Sequence, residues 1–228
     1  MINKEKENEP SYYIETNPYR GLFVCLEGID NSGKTTQRDL LKKYLEQRNK
    51  DFLITEEHNQ KFSRGIEIQE ILEGKKPFPS SSLDFQKLYI ENRCDHLQRL
   101  IIPSLMEGRL VISDRYFWST FAYGLNSKIR DELIRLNSEF IAPDITLILN
   151  IPPKVSLDRK IMKGENEEIF DNLEKQKNIA EAYLWIKNNF KNDIFVIPGN
   201  GEKNAISSEI IDIVTRHPKF YNSERIKS

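Results

Sequence analysis

The chain has 228 residues, a length that one α/β domain can accommodate, and we predict a single domain. Hydrophobic residues make up 38% and charged residues 30%, which supports a folded core and excludes an intrinsically disordered chain. The 34 basic and 35 acidic residues nearly cancel, so the sequence has no net positive charge to draw it to nucleic acid or to an anionic membrane.

The chain contains two cysteines, Cys25 and Cys94, without CxxC spacing or an accompanying histidine cluster. This usage is typical of a reducing compartment. No apolar stretch approaches the ~20 residues of a membrane span, and the N-terminus lacks the apolar core of a signal peptide. We therefore predict a cytoplasmic protein with neither membrane nor nucleic-acid partners.

Residues 1–20 are polar, contain two prolines and show neither helical nor strand periodicity, so we predict a flexible or loosely docked N-terminal extension. From residue 21 to 216, short apolar runs alternate with amphipathic segments of helical length. The predicted strands are 22–26, 52–54, 110–112, 145–149 and 194–197, and the predicted helices are 34–48, 63–73, 83–107, 153–162, 167–189 and 204–215. Strands that alternate with helices indicate an α/β fold with a parallel sheet covered on both faces. Residues 217–228 are predicted to be a polar tail.

Residues 28–35 read GIDNSGKT and match the pattern GxxxxGK[ST], directly after a predicted strand and at the start of a predicted helix. The two glycines let such a loop curl with its backbone N–H groups facing inward, and the helix N-terminus adds positive potential. Phosphate oxygens fit this site. The predicted ATP-binding residues of the loop are Gly28, Ile29, Asp30, Asn31, Ser32, Gly33, Lys34, Thr35 and Thr36. The alternative interpretation is a glycine-rich turn followed by an ordinary surface lysine.

Three loop side chains have predicted roles. Lys34 is predicted to be catalytic, lying along the β- and γ-phosphates, and the Thr35 hydroxyl to complete a Mg²⁺ shell. Asp30 would repel phosphates unless a metal or a cation lies between them. We predict that it is a catalytic carboxylate, either a second-shell Mg²⁺ ligand or a group that orients the acceptor; a solvent-facing loop aspartate is the alternative.

Asp114 and Arg115 follow the predicted strand 110–112, at the sheet edge where open α/β folds bind ligands. Asp114 is suited to hold a Mg²⁺-bound water. Arg115 is suited to fork onto the oxygens of an acceptor phosphate, and we predict that it is catalytic. A surface ion pair between the two is the alternative.

Three sequence motifs, which occur in the order and at the spacing of one known family, then indicate a resemblance. They are EGIDNSGKTTQ at 27–37, DRYFWSTFAYG at 114–124, and Pro143-Asp144 before a predicted strand. Over residues 22–214 the chain resembles the thymidylate kinases. The resemblance implies a P-loop NTPase with a five-stranded parallel sheet in the order 2-3-1-4-5, which converts dTMP and ATP to dTDP and ADP with Mg²⁺, usually as a homodimer.

The resemblance also implies an acceptor site and a lid. Tyr89 matches the aromatic residue that stacks on the base, and Arg93 matches the arginine that hydrogen-bonds it. These two lie four residues apart on a predicted helix and so share one face; without the resemblance they are interpreted as a packing residue and a surface charge. The remaining implied acceptor residues are Asp30, Arg115, Ser119 and Tyr123. The implied lid covers residues 159–171 and brings Arg159 and Lys163 to the nucleotide.

The chain departs from the family at several positions. The family's transition-state arginine stands at the place of Asn31 or of Glu168, and neither is basic here; Arg159, Lys160 and Lys163 are candidate substitutes. Segment 56–61 lacks the family's arginine or glycine-rich turn, and Gly124 replaces a common glutamine. Two alternatives follow: a kinase of another nucleoside monophosphate or of a deoxynucleoside, and an ATP-binding switch without efficient transfer.

Overall fold

The computed structural model describes residues 12–124, 129–164 and 172–223. At its centre is a parallel five-stranded sheet in the order β2-β3-β1-β4-β5. The strands are β1 (Phe23–Glu27), β2 (Phe52–Glu56), β3 (Leu110–Asp114), β4 (Ile145–Asn150) and β5 (Ile194–Pro198). The five predicted strands, the parallel sheet and its predicted order are confirmed.

Helices cover both faces of this sheet. They are α1 (Lys34–Gln47), α2 (Ser63–Leu72), α3 (Ser82–His96), α4 (Ile102–Met106), α5 (Phe117–Gly124), α6 (Arg130–Asn137), α7 (Pro153–Lys163), α8 (Leu173–Asn189) and α9 (Lys203–Arg216). Because side chains alternate along a strand, β1 contributes Phe23 and Cys25 to one core, with α5 and α8. It contributes Val24 and Leu26 to the other core, with α1 and α9.

The predicted single helix 83–107 is wrong in its middle. α3 ends at His96, a π-helical segment runs over Leu97–Ile101, and α4 completes the element. Pro103 supplies a physical reason, because it has no N–H to donate to the carbonyl four residues earlier and its ring clashes with that group in a regular α-helix. A π-type widening before the proline relieves this conflict.

Helices α5 and α6 were missed by the sequence reasoning. α5 has the sequence FWSTFAYG, and most of its residues are buried, so it lacks the polar face that produces a helical period. α6 is only 8 residues long, which is too short for a periodic pattern to stand out.

The predicted flexible extension is wrong for residues 12–20. Tyr12 and Thr16 form parallel bridges with Phe190 and Ala142, and Ile14 is buried in the core. Apolar side chains at alternate positions therefore fix this segment against the domain. Residues 1–11 lie outside the described part of the chain.

The C-terminal tail is also docked where the structure describes it. Pro218–Ser223 forms a 3-10 helix, and Phe220 is buried. The buried carboxylate of Asp144 joins both ends of the chain, accepting hydrogen bonds from Asn17 Nδ2, the backbone N–H of Phe23 and Lys219 Nζ, each at 2.8 Å. Residues 224–228 lie outside the described part.

Candidate active site

The loop between β1 and α1 wraps around a space in front of the α1 N-terminus. Its backbone is left-handed at Gly28 (φ 136°), Asn31 (φ 54°) and Gly33 (φ 103°). A Cβ atom at position 28 would lie 2.6 Å from the Leu149 carbonyl oxygen, so that position requires glycine on steric grounds as well. In such a curl, successive backbone amides can converge on a bound anion.

A cavity of about 660 Å³ lies in front of this loop. Of the predicted nucleotide residues, those that line it are Asp30, Asn31, Ser32, Gly33, Lys34, Thr35, Thr36, Arg159 and Lys163. Gly28 and Ile29 contribute differently, because the Ile29 side chain is buried in the core. Their carbonyl oxygens accept hydrogen bonds from Lys34 Nζ at 3.1 and 2.9 Å.

Lys34 is buried at the start of α1 and faces several charges. Burial and, after it, the nearby Arg115 together lower the pKa of its ammonium from 10.5 to about 8, against the opposing effect of Asp114, Asp30 and Glu27. Among the described residues, only the carbonyl oxygens of Gly28 and Ile29 accept hydrogen bonds from the ammonium. A polyphosphate in the cavity would supply the negative charge that this lysine lacks.

The two predicted Mg²⁺ residues lie side by side. Thr35 Oγ1 is 3.4 Å from Asp114 Oδ2, and both side chains line the cavity. Within the described ranges, no group of three or more histidine, cysteine or acidic side chains is placed to hold a metal. A hydroxyl and a carboxylate suit Mg²⁺, which binds few protein ligands and keeps water and phosphate oxygens.

Arg115 lies at the end of β3 in a left-handed conformation, with φ 69°. Its Nη2 donates to Asp30 Oδ1 at 2.5 Å and to Tyr123 OH at 3.0 Å, and Tyr123 OH donates to Asp30 Oδ2 at 3.1 Å. Burial disfavours the charged form of Asp30, but Arg115 and Lys34 outweigh it and hold the pKa of this carboxyl below its usual value. Asp30 is thus an ionised partner of Arg115 rather than a solvent-facing loop residue.

A second cavity, of about 230 Å³, lies beside the first. Of the six predicted acceptor residues, the five that line it are Asp30, Tyr89, Arg115, Ser119 and Tyr123. The two cavities share Asp30, Glu57 and Arg115 in their walls. A ligand in one cavity therefore meets a ligand in the other across the Asp30–Arg115 pair.

Arg93 does not occupy its predicted position. Its side chain is 0% exposed, does not line the second cavity, and forms a forked ion pair with Glu57, with Nε–Oε2 and Nη2–Oε2 distances of 2.9 and 2.6 Å. It also donates to Asn137 Oδ1 at 2.6 Å and to Thr120 Oγ1 at 3.1 Å. The direct base contact is thus corrected: Arg93 lies behind the cavity wall and supports Glu57 and Thr120, which do line it.

His58 is a wall residue that the sequence reasoning missed. Its ring packs edge-on to Tyr89 with centroids 5.8 Å apart, and its Nε2 is 2.9 Å from Gln69 Oε1. Gln69 Nε2 donates to the Glu73 carboxylate, so its oxygen must face His58. The histidine therefore carries its proton on Nε2. The only signal in the sequence was the departure of segment 56–61 from the family pattern.

The described part of the implied lid contacts the phosphate loop. Arg159 Nη1 donates to the Asn31 carbonyl oxygen at 3.0 Å, and Arg159 Nη2 donates to the Gly199 carbonyl oxygen at 3.3 Å. Lys163 Nζ donates to Asn31 Oδ1 at 2.6 Å. Two cations thus contact the loop position where the family resemblance implies an arginine. Residues 165–171, including Glu168, lie outside the described part of the chain.

Comparison with known proteins decides the family. The family model for thymidylate kinase matches residues 26–210, which contain both cavities and the loop. The chain belongs to the thymidylate kinase family. Relatives include a probable thymidylate kinase of Pyrococcus horikoshii, 34% identical over 205 residues that cover 86% of this chain and 96% of the relative. The thymidylate kinase of Carboxydothermus hydrogenoformans is also 34% identical, over 72% of this chain and 83% of its own. That of Sulfurihydrogenibium sp. is 34% identical over 84% and 96%.

Family membership confirms the family predicted from the three motifs. The residues that line both cavities fall inside the matched segment, and the docked segments 12–20 and 218–223 lie outside it. In the described part of the chain, every helix is too short or too polar to cross a membrane.

Proposed function

We propose that this chain transfers the γ-phosphoryl group of ATP to the phosphate of dTMP, giving ADP and dTDP. The observation that carries the proposal is the wall common to the two cavities, formed by Asp30, Glu57 and Arg115. One cavity has a phosphate loop and the other an aromatic face, so a nucleoside triphosphate and a nucleotide acceptor would meet with their phosphates at this wall.

The phosphate loop would bind the triphosphate. The inward amides and Lys34 would hold the β- and γ-phosphates, with the ammonium moving from the Gly28 and Ile29 carbonyls onto the anion. An acceptor phosphate oxygen forms the new bond to the γ-phosphorus. The bond between the γ-phosphorus and the β,γ-bridging oxygen breaks, and its electron pair leaves with ADP.

Arg115 would bind the acceptor phosphate. Its guanidinium already lies between the cavities, held by Asp30 and Tyr123 in the absence of an anion. An arriving phosphate would be a stronger acceptor than the neutral partners, such as Tyr123, that now accept from the guanidinium, and Asp30 keeps the guanidinium at the junction. Asp30 is therefore proposed to orient the acceptor through Arg115, the second of its two predicted roles.

Arg159 and Lys163 are proposed to replace the missing transition-state arginine. Both contact Asn31, where some relatives carry that arginine, and both line the nucleotide cavity. A cation at this place neutralises charge on the transferred group. Of the two, Arg159 has the planar fork that matches phosphate oxygens.

Thr35 and Asp114 are the residues proposed to hold Mg²⁺, directly or through water. When bound, the ion supplies positive charge that draws the phosphate oxygens together and offsets their repulsion. Asp114 is restrained for this task, since Arg38 Nη1 lies 3.9 Å from the same oxygen.

Tyr89 is proposed to stack on the acceptor base, within an aromatic wall that includes Phe85 at a centroid distance of 5.4 Å. Because Arg93 does not line the cavity, the polar wall residues proposed to hydrogen-bond the edge of the base are Thr120, Gln86 and His58. Because these polar residues differ from the arginine that the resemblance implied, the alternative acceptor is a related nucleoside monophosphate.

The deciding experiment is a coupled ADP-release assay with ATP, Mg²⁺ and each of dTMP, dUMP, dGMP, dCMP and thymidine. We expect turnover with dTMP to exceed all others. A preference for another monophosphate would replace the acceptor, and tight ATP binding without transfer to any acceptor would instead support the switch. The predicted homodimer rests on the family resemblance alone, and equilibrium sedimentation tests it; the cytoplasmic location stays a prediction.

A further inference from the structure

Glu27 is a buried carboxylate to which the proposed mechanism gives no role. It is the last residue of β1, is 0% exposed, and lines neither cavity. Burial raises the pKa of its carboxyl, and Arg115 is the strongest of the influences that oppose this. Burying an ionisable group costs desolvation free energy. A carboxylate kept in the core beside a phosphate loop is therefore expected to have a role.

The carboxylate is saturated by donors from three elements. Its Oε1 accepts the backbone N–H of Tyr116 at 2.9 Å. Its Oε2 accepts the Ser119 hydroxyl at 2.7 Å and the Tyr183 hydroxyl at 2.8 Å. Both hydroxyls also lie next to Arg115, whose Nη1 is 3.1 Å from Ser119 Oγ and 3.3 Å from Tyr183 OH.

The direction of these hydrogen bonds follows from the chemistry of the groups. Both hydroxyls donate to Glu27 Oε2, so each spends its single proton on the carboxylate. The oxygen lone pairs of Ser119 and Tyr183 are thereby turned toward Arg115, which can only donate. Without the carboxylate, either hydroxyl could rotate and point its proton at the guanidinium, which would repel it.

We propose that Glu27 is a positioning residue, which holds the Arg115 guanidinium at the junction of the two cavities by orienting the hydroxyls of Ser119 and Tyr183. The inference rests on the proposed role of Arg115 in binding the acceptor phosphate. Asp30 and Tyr123 hold Nη2 of the guanidinium from the cavity side. Nη1 donates to the Gly28 carbonyl oxygen at 3.1 Å, and the Glu27 relay holds the same nitrogen from the core. The planar guanidinium of Arg115 is thus held in place before the acceptor binds.

Glu27→Gln tests the relay, because it keeps the size of the side chain and removes its charge. We expect the acceptor KM to rise at least about tenfold while the ATP KM changes less than about twofold. Tyr183→Phe, which removes one hydroxyl outside both cavities, should give part of this effect. In the double variant the two effects should fall well short of multiplying.

A second readout needs no catalysis. In ¹⁵N spectra of the arginine side chains, the Arg115 Nη signals, assigned by their absence from Arg115→Lys, should be resolved in the wild type and collapse in Glu27→Gln. Arg93 is the internal control, since it is held by Glu57 and its signals should persist. If Glu27→Gln does not fold, Tyr183→Phe is measured in the same way.

Unchanged acceptor KM and unchanged Arg115 signals in folded Glu27→Gln would overturn the proposal, and so would fully multiplicative effects of the two variants. An inactive wild type with every acceptor would overturn the proposed function instead, while the spectra would still decide whether Glu27 positions Arg115.

Discussion

Lys34 lies at the first turn of α1, where the loop amides and the proposed γ-phosphate converge. Lys34→Ala is expected to lower kcat at least about 100-fold, because no other side chain of the loop supplies a positive charge to the breaking bond. The melting temperature should not fall, since a desolvated ammonium is removed. Lys42→Ala, on the exposed side of the same helix, is the matched control and should keep full turnover. Near-normal turnover in Lys34→Ala would refute the role.

The lowered pKa of Lys34 predicts proton uptake on ATP binding. With a pKa of about 8 in the free protein, a large part of Lys34 is neutral just above that pH, and a bound polyphosphate favours the charged form. The affinity for Mg·ATP should therefore fall as the pH rises through 8. Calorimetry at about pH 8.5, in two buffers that differ in ionisation enthalpy, should show uptake in the wild type and none in Lys34→Ala. Equal uptake in both proteins would contradict the assignment.

Arg93 shows why a residue pattern alone misplaces a side chain. The spacing from Tyr89 and the family resemblance both indicated a base contact. The partner that withdraws Arg93 is Glu57, which is 36 residues away in sequence and approaches only after β2 joins the sheet. A buried guanidinium pairs with the strongest available anion. The sequence of the helix that contains Arg93 does not indicate that this anion is Glu57.

The Glu57–Arg93 pair predicts a stability effect instead of a binding effect. Both side chains are almost fully buried, so removing either partner leaves an unpaired charge and should cost about 3–5 kcal/mol in urea unfolding. Arg93→Met and Glu57→Gln together should cost less than the two single changes added. Arg135→Ala, which breaks an exposed pair on α6, should have no measurable effect. Single variants as stable as the wild type would contradict this interpretation.

The same pair predicts a pH dependence. Burial opposes ionisation of Glu57, but Arg93 and His96 together outweigh it and hold the pKa of this carboxyl below its ordinary value. Its stabilisation is thus fully present above the unfolded pKa of about 4.3 and is lost as the pH falls through the lower folded value. The stability difference between the wild type and Glu57→Gln should shrink only in strong acid. A difference that disappears already near neutral pH would argue against an ionised Glu57.

Among the elements, those with a regular pattern were predicted and those without one were not. The buried parallel strands appear as short apolar runs because both of their faces are covered, and the order of the sheet followed from the family resemblance. α5 gave no signal because a helix buried on most sides has no polar stripe. The π-helical segment was also missed, since the helical pattern was continued through Pro103 and gave no sign of a local widening.

The N-terminal segment 12–20 and the 3-10 helix Pro218–Ser223 are expected to dock as one unit. Both depend on Asp144, so Asp144→Ala should cost about 2–4 kcal/mol by leaving the Phe23 N–H and Lys219 without their acceptor. Hydrogen exchange should show that both segments lose protection together. Asn17→Ala, which removes one of the three donors, should have a smaller effect. Loss of protection in only one segment would show that they dock independently.

For the molecule as a whole, the phosphate loop couples ligand binding to stability. Mg·ATP at about 100 times its Kd should add ~2.7 kcal/mol to the unfolding free energy. For a domain of this size that raises Tm by several degrees, at roughly 2–4 °C per kcal/mol. Lys34→Ala should lose most of the shift. An equal shift with dTMP alone would show that the acceptor cavity is formed without the nucleotide, and no shift with Mg·ATP would refute the nucleotide site.

The candidate site shows the same division between local and long-range information. The phosphate loop could be proposed from its pattern alone, because its chemistry is contained in eight consecutive residues. The acceptor cavity could be proposed only for residues carried over by resemblance, since Glu57 and His58 follow β2 and Thr120 lies on α5, and the fold brings them together. Their chemistry depends on neighbours that no window of sequence contains.

The contacts of Asn222 with Arg20 and of Lys219 with Asn17 place the two ends of the folded chain side by side. Neighbouring ends can be connected, so the linear order of the elements can be changed while their spatial arrangement is kept. A circular permutant that begins at Lys75, in the exposed turn after α2, would retain every strand neighbour and the phosphate loop. The starting point of the polypeptide can then be moved, which allows a reporter to be attached at the turn after α2.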